Sequence, residues 1–291
     1  MSTDAARLGR VSVLITATEL AAALESSAPP VVLDVRWRLT AAGAAPYDGH
    51  ADYLAGHIPG AVFVDLDAEL AARPAGPEQG RHPLPSAEAL QEAVRRWGVS
   101  PGRDVVVHDG EGNLAAARAW WLLRWAGVDS VRILDGALPA WVAEERPLAT
   151  GDVTPTPGTF TITPGSMPTI DADEAAAWPA AGLLLDARAP ERFRGETEPI
   201  DPKAGHVPGA VNAPTTANLD ADGRFRSAAE LRARFRALGA DADTRVAAYC
   251  GSGVTAAHEV AALAIAGIDA ALYPGSWSQW SNQDRPVATG D

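Results

Sequence analysis

Short apolar runs alternate along the chain with longer segments that have the periodicity of helices. Residues 30–33 and 104–107 are continuous runs rich in valine, as expected of strands that are buried on both faces. The segments between such runs have apolar residues spaced for one buried helix face. This alternation predicts βα units that build a parallel sheet covered by helices.

Helix boundaries are marked at several points. Ser227 and Asp171 are each followed three residues later by a glutamate, which is the pattern of a capping box at a helix start. Gly98 and Gly239 stand where helical patterns end, and glycine commonly terminates helices. The sequence therefore predicts helix starts at residues 171 and 227 and helix ends before 98 and 239.

The chain repeats itself once. Residues 86–109 align with residues 227–250 without a gap, which places Asp109 opposite Cys250. Three further segments recur in the same order: 33–36 (LDVR) at 185–188 (LDAR), 56–62 (GHIPGAV) at 205–211 (GHVPGAV), and 146–152 (RPLATGD) at 285–291 (RPVATGD). Such self-similarity predicts two copies of one fold.

The length of 291 residues also suits two domains. We predict a first domain over residues 1–154, a linker rich in proline, threonine and glycine over 155–168, and a second domain over 169–291. Each domain is expected to be a mainly parallel sheet with helices on both faces. The predicted fold class is therefore α/β, present in duplicate.

Charge and cysteine content narrow the range of partners. The net charge of −13 repels polyanions, so neither nucleic acid nor a membrane surface is an expected partner. No apolar run approaches the roughly 20 residues that cross a bilayer. The single cysteine, Cys250, allows neither an internal disulfide nor a cysteine-cluster metal site. A cytoplasmic location is expected.

The histidines do not predict a metal site. Asp48, His50, Asp52 and His57 are spaced irregularly, so we expect no bound metal, and no cofactor is expected either. His57 and His206 occupy matching places in the duplicated Gly-His-x-Pro-Gly turn. Because this turn occurs in both halves, a structural role is predicted for the two histidines.

Cys250 stands between a predicted buried strand at residues 244–249 and a predicted helix at 255–263. In an α/β sheet, ligands bind at this kind of turn, and the loop glycines let backbone N–H groups converge on the sulfur. Such a cradle at a helix N-terminus stabilises a thiolate or a persulfide anion. A lone cysteine is often a small buried side chain, but this setting predicts a nucleophile.

A protein phosphatase or arsenate reductase also uses a cysteine at a turn between a strand and a helix. Those enzymes need an arginine six residues after the cysteine to bind the oxyanion, and Ala256 occupies that place here. The loop therefore disfavours phosphoryl chemistry.

Residues 250–256 (CGSGVTA) resemble the active-site loop of tandem-domain rhodaneses, and within that family they are more similar to 3-mercaptopyruvate than to thiosulfate sulfurtransferases. Residues 205–210 (GHVPGA) and 273–280 (YPGSWSQW) also match the family pattern, so the similarity covers nearly the whole chain. The resemblance implies a catalytic second domain and a non-catalytic first domain with Asp109 at the cysteine position. It further implies that a Cys250 persulfide carries sulfur from a small-molecule donor to cyanide, a thiol or a thioredoxin-like acceptor.

The resemblance also assigns residues around the sulfur. It implies that Arg192 binds the donor's carboxylate, and that Ser252, His82 and Asp67 form a proton relay; for His82 an ordinary surface-loop position is the alternative. Lys203 is the candidate replacement for a further arginine that the family's mercaptopyruvate enzymes carry. The predicted substrate-binding residues are Arg192, Gly251, Gly253, Val254, Thr255 and Lys203.

The residues of the cysteine loop predict which sulfur donor is used. Gly251 and Ser252 stand where thiosulfate enzymes of the family carry basic side chains, so the predicted donor is 3-mercaptopyruvate. A thiosulfate:cyanide sulfurtransferase with the same carrier and a non-catalytic rhodanese docking module are the alternatives.

Overall fold

The computed structural model describes residues 13–40, 45, 47–241 and 243–291. The beginning of the predicted first domain, residues 1–12, lies outside the described residues. The strands are β1 (Leu14–Ile15), β2 (Val31–Val35), β3 (Val62–Val64), β4 (Val105–Asp109), β5 (Val131–Leu134), β6 (Leu183–Asp186), β7 (Val211–Asn212), β8 (Val246–Tyr249) and β9 (Ala270–Leu272).

The α-helices are α1 (Ala17–Leu24), α2 (Gly49–Ala55), α3 (Leu66–Glu69), α4 (Ala87–Arg96), α5 (Ala116–Trp125), α6 (Ala137–Ala143), α7 (Ala172–Ala177), α8 (Pro190–Phe193), α9 (Ala228–Ala237), α10 (Thr255–Ala266) and α11 (Ser276–Trp280). Short 3₁₀ turns cover Pro77–Gln79, Trp178–Ala180 and Thr215–Asn218. Across the described ranges, no helix is long and apolar enough to cross a bilayer.

The strands form two sheets, one in each half of the chain. The strand orders are β1-β5-β4-β2-β3 and β7-β6-β8-β9, and the neighbouring strands in both sheets pair in parallel. Parallel strands end at the same edge of their sheet, so Asp109, at the end of β4, and Cys250, directly after β8, occupy equivalent edges. The predicted duplicate α/β fold is confirmed.

One face of each sheet belongs to a shared core. Leu33 and Val107 of the first sheet join Leu185 and Ala248 of the second in one continuous apolar cluster. The opposite faces of the two sheets pack into separate clusters, each with its own helices. Helices α5 and α10 contact each other across the shared core. The two halves are therefore packed directly together, with helices on both faces of each sheet.

The predicted helix ends are present. Ser227 and Asp171 each form a complete capping box with the glutamate three residues later, at the starts of α9 and α7. Gly98 and Gly239 follow the ends of α4 and α9 with φ angles of 83° and 100°. This left-handed conformation is readily adopted by glycine and disfavoured in other residues, which explains why both helices stop there.

Two of the recurring motifs contact each other within each half. His57 and Ala149 form an antiparallel bridge, and His206 and Ala288 form its counterpart. Both histidines are buried, and their Nδ1 atoms lie 3.0 and 2.8 Å from backbone carbonyl oxygens in α2 and α8 respectively. These contacts are those of structural residues, and they explain why the Gly-His turn and the end of the repeat recur together.

The predicted linker is bound to the first half of the chain. The backbone N–H groups of Gly158, Phe160 and Thr163 donate to carbonyl oxygens of Arg95, Val99 and Ala126, at 2.7, 3.1 and 2.8 Å. These bonds hold the segment along the end of α4 and the end of α5. The exact domain boundaries stay a prediction.

Candidate active site

Cys250 lies in a tight loop between β8 and α10, with 1% of its surface exposed. The backbone N–H of Gly253 donates to Cys250 Sγ at 3.1 Å. Gly253 has a φ of 80°, and a Cβ atom there would collide with the carbonyl of Pro274. Only glycine fits this turn, so the sequence of the loop determines how the sulfur is held.

Helix α11, near the end of the second repeat, is hydrogen-bonded to the cysteine loop. The carbonyls of Cys250 and Gly251 accept hydrogen bonds from the N–H groups of Trp277 and Ser278, at 2.9 and 2.8 Å. The Cys250 N–H donates to Ser276 Oγ at 3.1 Å. Ser276 has a φ of 53°, a left-handed conformation that a residue with a side chain rarely adopts. The loop is therefore held by main-chain bonds as well as by packing.

Ser252, His82 and Asp67 lie in a row beside the loop. The Ser252 hydroxyl is 2.8 Å from His82 Nδ1, and His82 Nε2 is 3.2 Å from Asp67 Oδ1. Trp37 Nε1 also donates to Asp67 Oδ1, at 3.2 Å. The hydrogen bond with His82 holds the pKa of Asp67 below its ordinary value. The structure thus brings together three residues that are up to 185 positions apart in the sequence.

Arg192 lies next to the loop but already has anionic partners. Its Nη2 is 2.7 Å from Glu198 Oε1 and 3.4 Å from Asp201 Oδ2. A methyl group placed at Gly251 would lie 3.6 Å from Arg192 Nη1. The guanidinium therefore lies beside the loop, with one nitrogen towards Gly251.

Lys203 has a different partner. Its ammonium donates to the backbone carbonyl of Gln283 at 2.7 Å, and the Lys203 carbonyl accepts from Trp277 Nε1 at 2.9 Å. The second cation beside the loop is instead Arg81, whose Nη2 would lie 3.2 Å from a methyl group at Gly251. The role of Lys203 as a substrate anchor stays a prediction. Sequence reasoning missed Arg81, and its position next to His82 was the one available signal.

Arg118 is a second residue that sequence reasoning missed. It is fully buried in α5, and its guanidinium donates to the carbonyls of Leu70, His82 and Gly253, at 3.2, 3.0 and 3.1 Å. Burial lowers the pKa of Arg118 to about 10, and the electrostatic interaction with Cys250 opposes that shift. This cation ties the backbone of His82 to the backbone of the cysteine loop.

The equivalent loop of the first half is filled by a carboxylate. Asp109 accepts hydrogen bonds from the backbone N–H groups of Glu111, Asn113, Ala115 and Ala116, at 2.9, 2.9, 3.0 and 3.3 Å. Burial nevertheless raises its pKa to about 7 against these bonds. A loop of this shape can therefore surround a group that extends two atoms beyond Cβ.

A cavity of about 360 Å³ adjoins the row of Ser252, His82 and Asp67. Its lining includes Trp37, Asp67, Arg81 and His82 from the first half and Ile200 from the second. The size and mixed polarity are those of a site for a small molecule. In the described part of the chain, no group of histidine, cysteine and acidic side chains is arranged to hold a metal ion.

A cysteine loop at the carboxyl edge of a duplicated parallel sheet, supported by the other half of the chain, defines the class of protein. The chain belongs to the rhodanese family: the model of the rhodanese-like domain matches residues 16–144 and again residues 171–283.

The names of individual relatives refer to two different sulfur donors. The "Putative thiosulfate sulfurtransferase SseB" of Mycobacterium tuberculosis is 49% identical, with 97% of this chain and 98% of the relative covered. The "Probable 3-mercaptopyruvate sulfurtransferase" of Pseudomonas aeruginosa is 47% identical, with 96% and 98% covered. The crystal structure of SseA from Escherichia coli, described as a 3-mercaptopyruvate sulfotransferase, matches with a TM-score of 0.78 at 32% identity, covering 92% of this chain and 99% of that one.

Proposed function

We propose that this chain is a sulfurtransferase that moves a sulfane sulfur from 3-mercaptopyruvate to a thiol or cyanide acceptor through a persulfide on Cys250. The observation that carries the proposal is the pair of equivalent loops. The first holds the Asp109 carboxylate, whereas the second holds only the Cys250 thiol, which ends one atom beyond Cβ. A persulfide ends two atoms beyond Cβ, as a carboxylate does, and backbone N–H groups at a turn between a strand and a helix suit its anion.

In the first step the Cys250 thiolate attacks the sulfur of 3-mercaptopyruvate. The new S–S bond forms as the donor's C–S bond breaks, and the electron pair of that bond remains on the organic fragment as the enolate of pyruvate. Ser252 donates a proton to the enolate carbon and regains one through His82, with Asp67 orienting the imidazole. The proton lost by the donor's thiol balances the one gained by pyruvate.

In the second step an acceptor thiolate or cyanide attacks the outer sulfur of the persulfide. The S–S bond breaks, its electron pair returns to Cys250, and the sulfur leaves on the acceptor. Neither step needs a metal or a redox cofactor, because the sulfur moves between nucleophiles. The acceptor's identity, like the expected cytoplasmic location, stays a prediction.

Arg192 is proposed to bind the donor's carboxylate. Its nitrogen nearest Gly251 lies on the side of the cysteine loop, while Glu198 fixes the opposite side of the guanidinium. The predicted loop contacts of Gly251, Gly253, Val254 and Thr255 with substrate belong to the same proposal.

Thiosulfate is the second candidate donor, and two observations favour it. The relative from Mycobacterium tuberculosis carries that donor in its name, and two guanidiniums reach Gly251 from outside the loop. The absence of basic side chains from the loop sequence is therefore weaker evidence against thiosulfate than the sequence alone indicates.

Steady-state kinetics with both donors, at equal cyanide concentration, tests the assignment. We expect kcat/KM for 3-mercaptopyruvate to exceed that for thiosulfate by at least ten-fold. A higher kcat/KM for thiosulfate would reverse the order of donors, and turnover of neither donor would contradict a sulfurtransferase.

A further inference from the structure

Arg118 is a fully buried cation of the first half of the chain, and within the described residues it forms no ion pair with a carboxylate. By contrast, the buried guanidiniums of Arg36 and Arg188 are each paired with the aspartate two residues earlier. A buried charge that is bonded only to neutral groups is costly, because carbonyls satisfy its N–H donors without balancing its charge. The hydrogen bonds of Arg118 are all to backbone carbonyls, those of Leu70, His82, Pro83 and Gly253.

The ionisable side chain with which Arg118 interacts is Cys250. Gly253 connects the two residues: its carbonyl accepts from Arg118 Nη1 at 3.1 Å, and its N–H donates to Cys250 Sγ at 3.1 Å. Burial lowers the pKa of Arg118, and the electrostatic interaction with Cys250 opposes that shift. The positive charge of the first half therefore lies one residue away from the reactive sulfur of the second.

We infer that Arg118 is the counter-charge of the sulfur anion, so that its buried guanidinium stabilises first the Cys250 thiolate and then the persulfide that forms there. This inference rests on the proposed function and adds a positioning residue to it, which acts on the sulfur through Gly253. Because Cys250 is 1% exposed, water contributes little to stabilising a charge on its sulfur. With the anion present, the two buried charges balance each other.

The fold gives this charge a defined position. Arg118 lies in the first turn of α5, and α5 contacts α10, the helix that follows the cysteine loop. The loop therefore receives the positive end of the α10 dipole together with the charge of Arg118. This arrangement gives the half that lacks the cysteine a part in the chemistry of the sulfur.

The other charged groups that face the cysteine loop have partners of their own. Arg81 and Arg192 lie beside Gly251, and both are paired with the Asp201 carboxylate. The α11 residues that bond to the loop are uncharged. The remaining ionisable side chains on the loop and on α10 are His82, His258 and Glu259, which bond to Ser252, Thr215 and Asn218 respectively. Among these described groups, Arg118 is the cation whose charge only Cys250 can balance.

The ionisation of Cys250 tests this role without relying on turnover. Because the sequence has a single cysteine, two pH profiles report on one sulfur: the rate of alkylation by neutral iodoacetamide, and the ultraviolet absorbance of the thiolate, corrected with Cys250→Ser in the same background. Arg118→Gln removes the charge and keeps amide donors, whereas Arg118→Lys keeps the charge and loses the planar fork. We expect Arg118→Gln to move the midpoint of both profiles up by about one pH unit, because the thiolate loses its counter-charge, and Arg118→Lys to move it by less than about 0.3 pH unit.

Arg124→Met is the matched control. Arg124 is a partly exposed arginine of the same helix that donates to the carbonyl of Asp129 at 2.6 Å, so its removal should leave the midpoint unchanged. If circular dichroism shows that Arg118→Gln does not fold, Arg118→Met supplies the neutral side chain.

An unchanged midpoint in the neutral variant would overturn the inference. An equal shift in Arg118→Lys would also overturn it, since the hydrogen bonds of the planar fork, and not the charge, would then act on the sulfur. If the midpoint shifts as expected but the wild type turns over neither donor, the role of Arg118 stands and the proposed function fails.

Discussion

Removing the Ser252 hydroxyl should slow sulfur transfer from 3-mercaptopyruvate and leave transfer from thiosulfate nearly unchanged. The hydroxyl lies 2.8 Å from His82 Nδ1 and is 5% exposed as a residue, so it is placed to protonate the departing enolate away from bulk water. Sulfite leaves thiosulfate without needing a proton. Only one of the two donors therefore depends on the relay.

The exposure of each proposed relay residue also predicts how much its removal should lower kcat. A positioned general acid contributes roughly 100-fold to 10,000-fold, and we expect Ser252→Ala to lower kcat for 3-mercaptopyruvate about 100-fold. The Asp67 side chain is 65% exposed, and interactions of an exposed carboxylate contribute about 0.2–1 kcal/mol, so Asp67→Asn should lower kcat by less than about five-fold.

The assay measures kcat with each donor for both variants and for the wild type, at saturating cyanide. An equal loss with both donors in Ser252→Ala would refute the proton relay, because the serine would then support the loop rather than the leaving group. A loss in Asp67→Asn as large as in Ser252→Ala would refute the grading by exposure.

Buried polar groups outside the relay give three more expectations. Arg118→Met should lower the free energy of unfolding by about 2–4 kcal/mol, because buried carbonyls lose their donors, whereas Arg124→Met in the same helix should change it by less than about 1 kcal/mol; urea denaturation measures both. Burial raises the pKa of Glu259 to about 7, so the folded chain binds this proton more tightly than the unfolded chain, and wild-type stability should fall as pH rises from about 4.5 to 7. Glu259→Gln should remove up to about 3 kcal/mol of that fall in urea titrations at pH 5 and pH 8. Asp109→Cys in a Cys250→Ser background should release no sulfur to cyanide after donor treatment, because Glu111 stands where the second loop has its serine.

Each of these expectations has a contrary result. Equal stability losses in the two arginine variants would show that Arg118 contributes no more to the free energy of unfolding than Arg124. A stability difference between wild type and Glu259→Gln that does not change with pH would mean that Glu259 titrates normally in the folded chain. Release of one sulfur per chain from the Asp109→Cys variant would show that loss of the cysteine alone silenced the first loop.

The fold was predictable because its signals are local or periodic. Capping boxes at Ser227 and Asp171, glycines at helix ends and valine-rich strands each act within a few residues, and the repeat shows them twice. The place of Cys250 at the end of β8 followed from the same signals. Periodic patterns describe each half of the chain by itself. They therefore do not predict how the two halves pack against each other.

The parts of the site that cross between the halves were not predictable from pattern. The row of Ser252, His82 and Asp67 was anticipated only through the family resemblance, since no spacing along the chain indicates that these side chains meet. Arg81 reaches Gly251 from the other half in the same way. The sequence held one indication of Arg118, because it is a charged residue within the otherwise apolar beginning of α5. Buried charges of this kind are informative because they need specific partners.

The most direct test of sulfur transfer through Cys250 is the mass of the intact protein after treatment with 3-mercaptopyruvate without an acceptor. The wild type should gain about 32 Da, the mass of one sulfur atom, localised to the peptide with Cys250 and removed by cyanide. Cys250→Ser should gain nothing and keep its fold by circular dichroism. Sulfur transfer by Cys250→Ser, or turnover by the wild type with no adduct at Cys250, would contradict the persulfide mechanism.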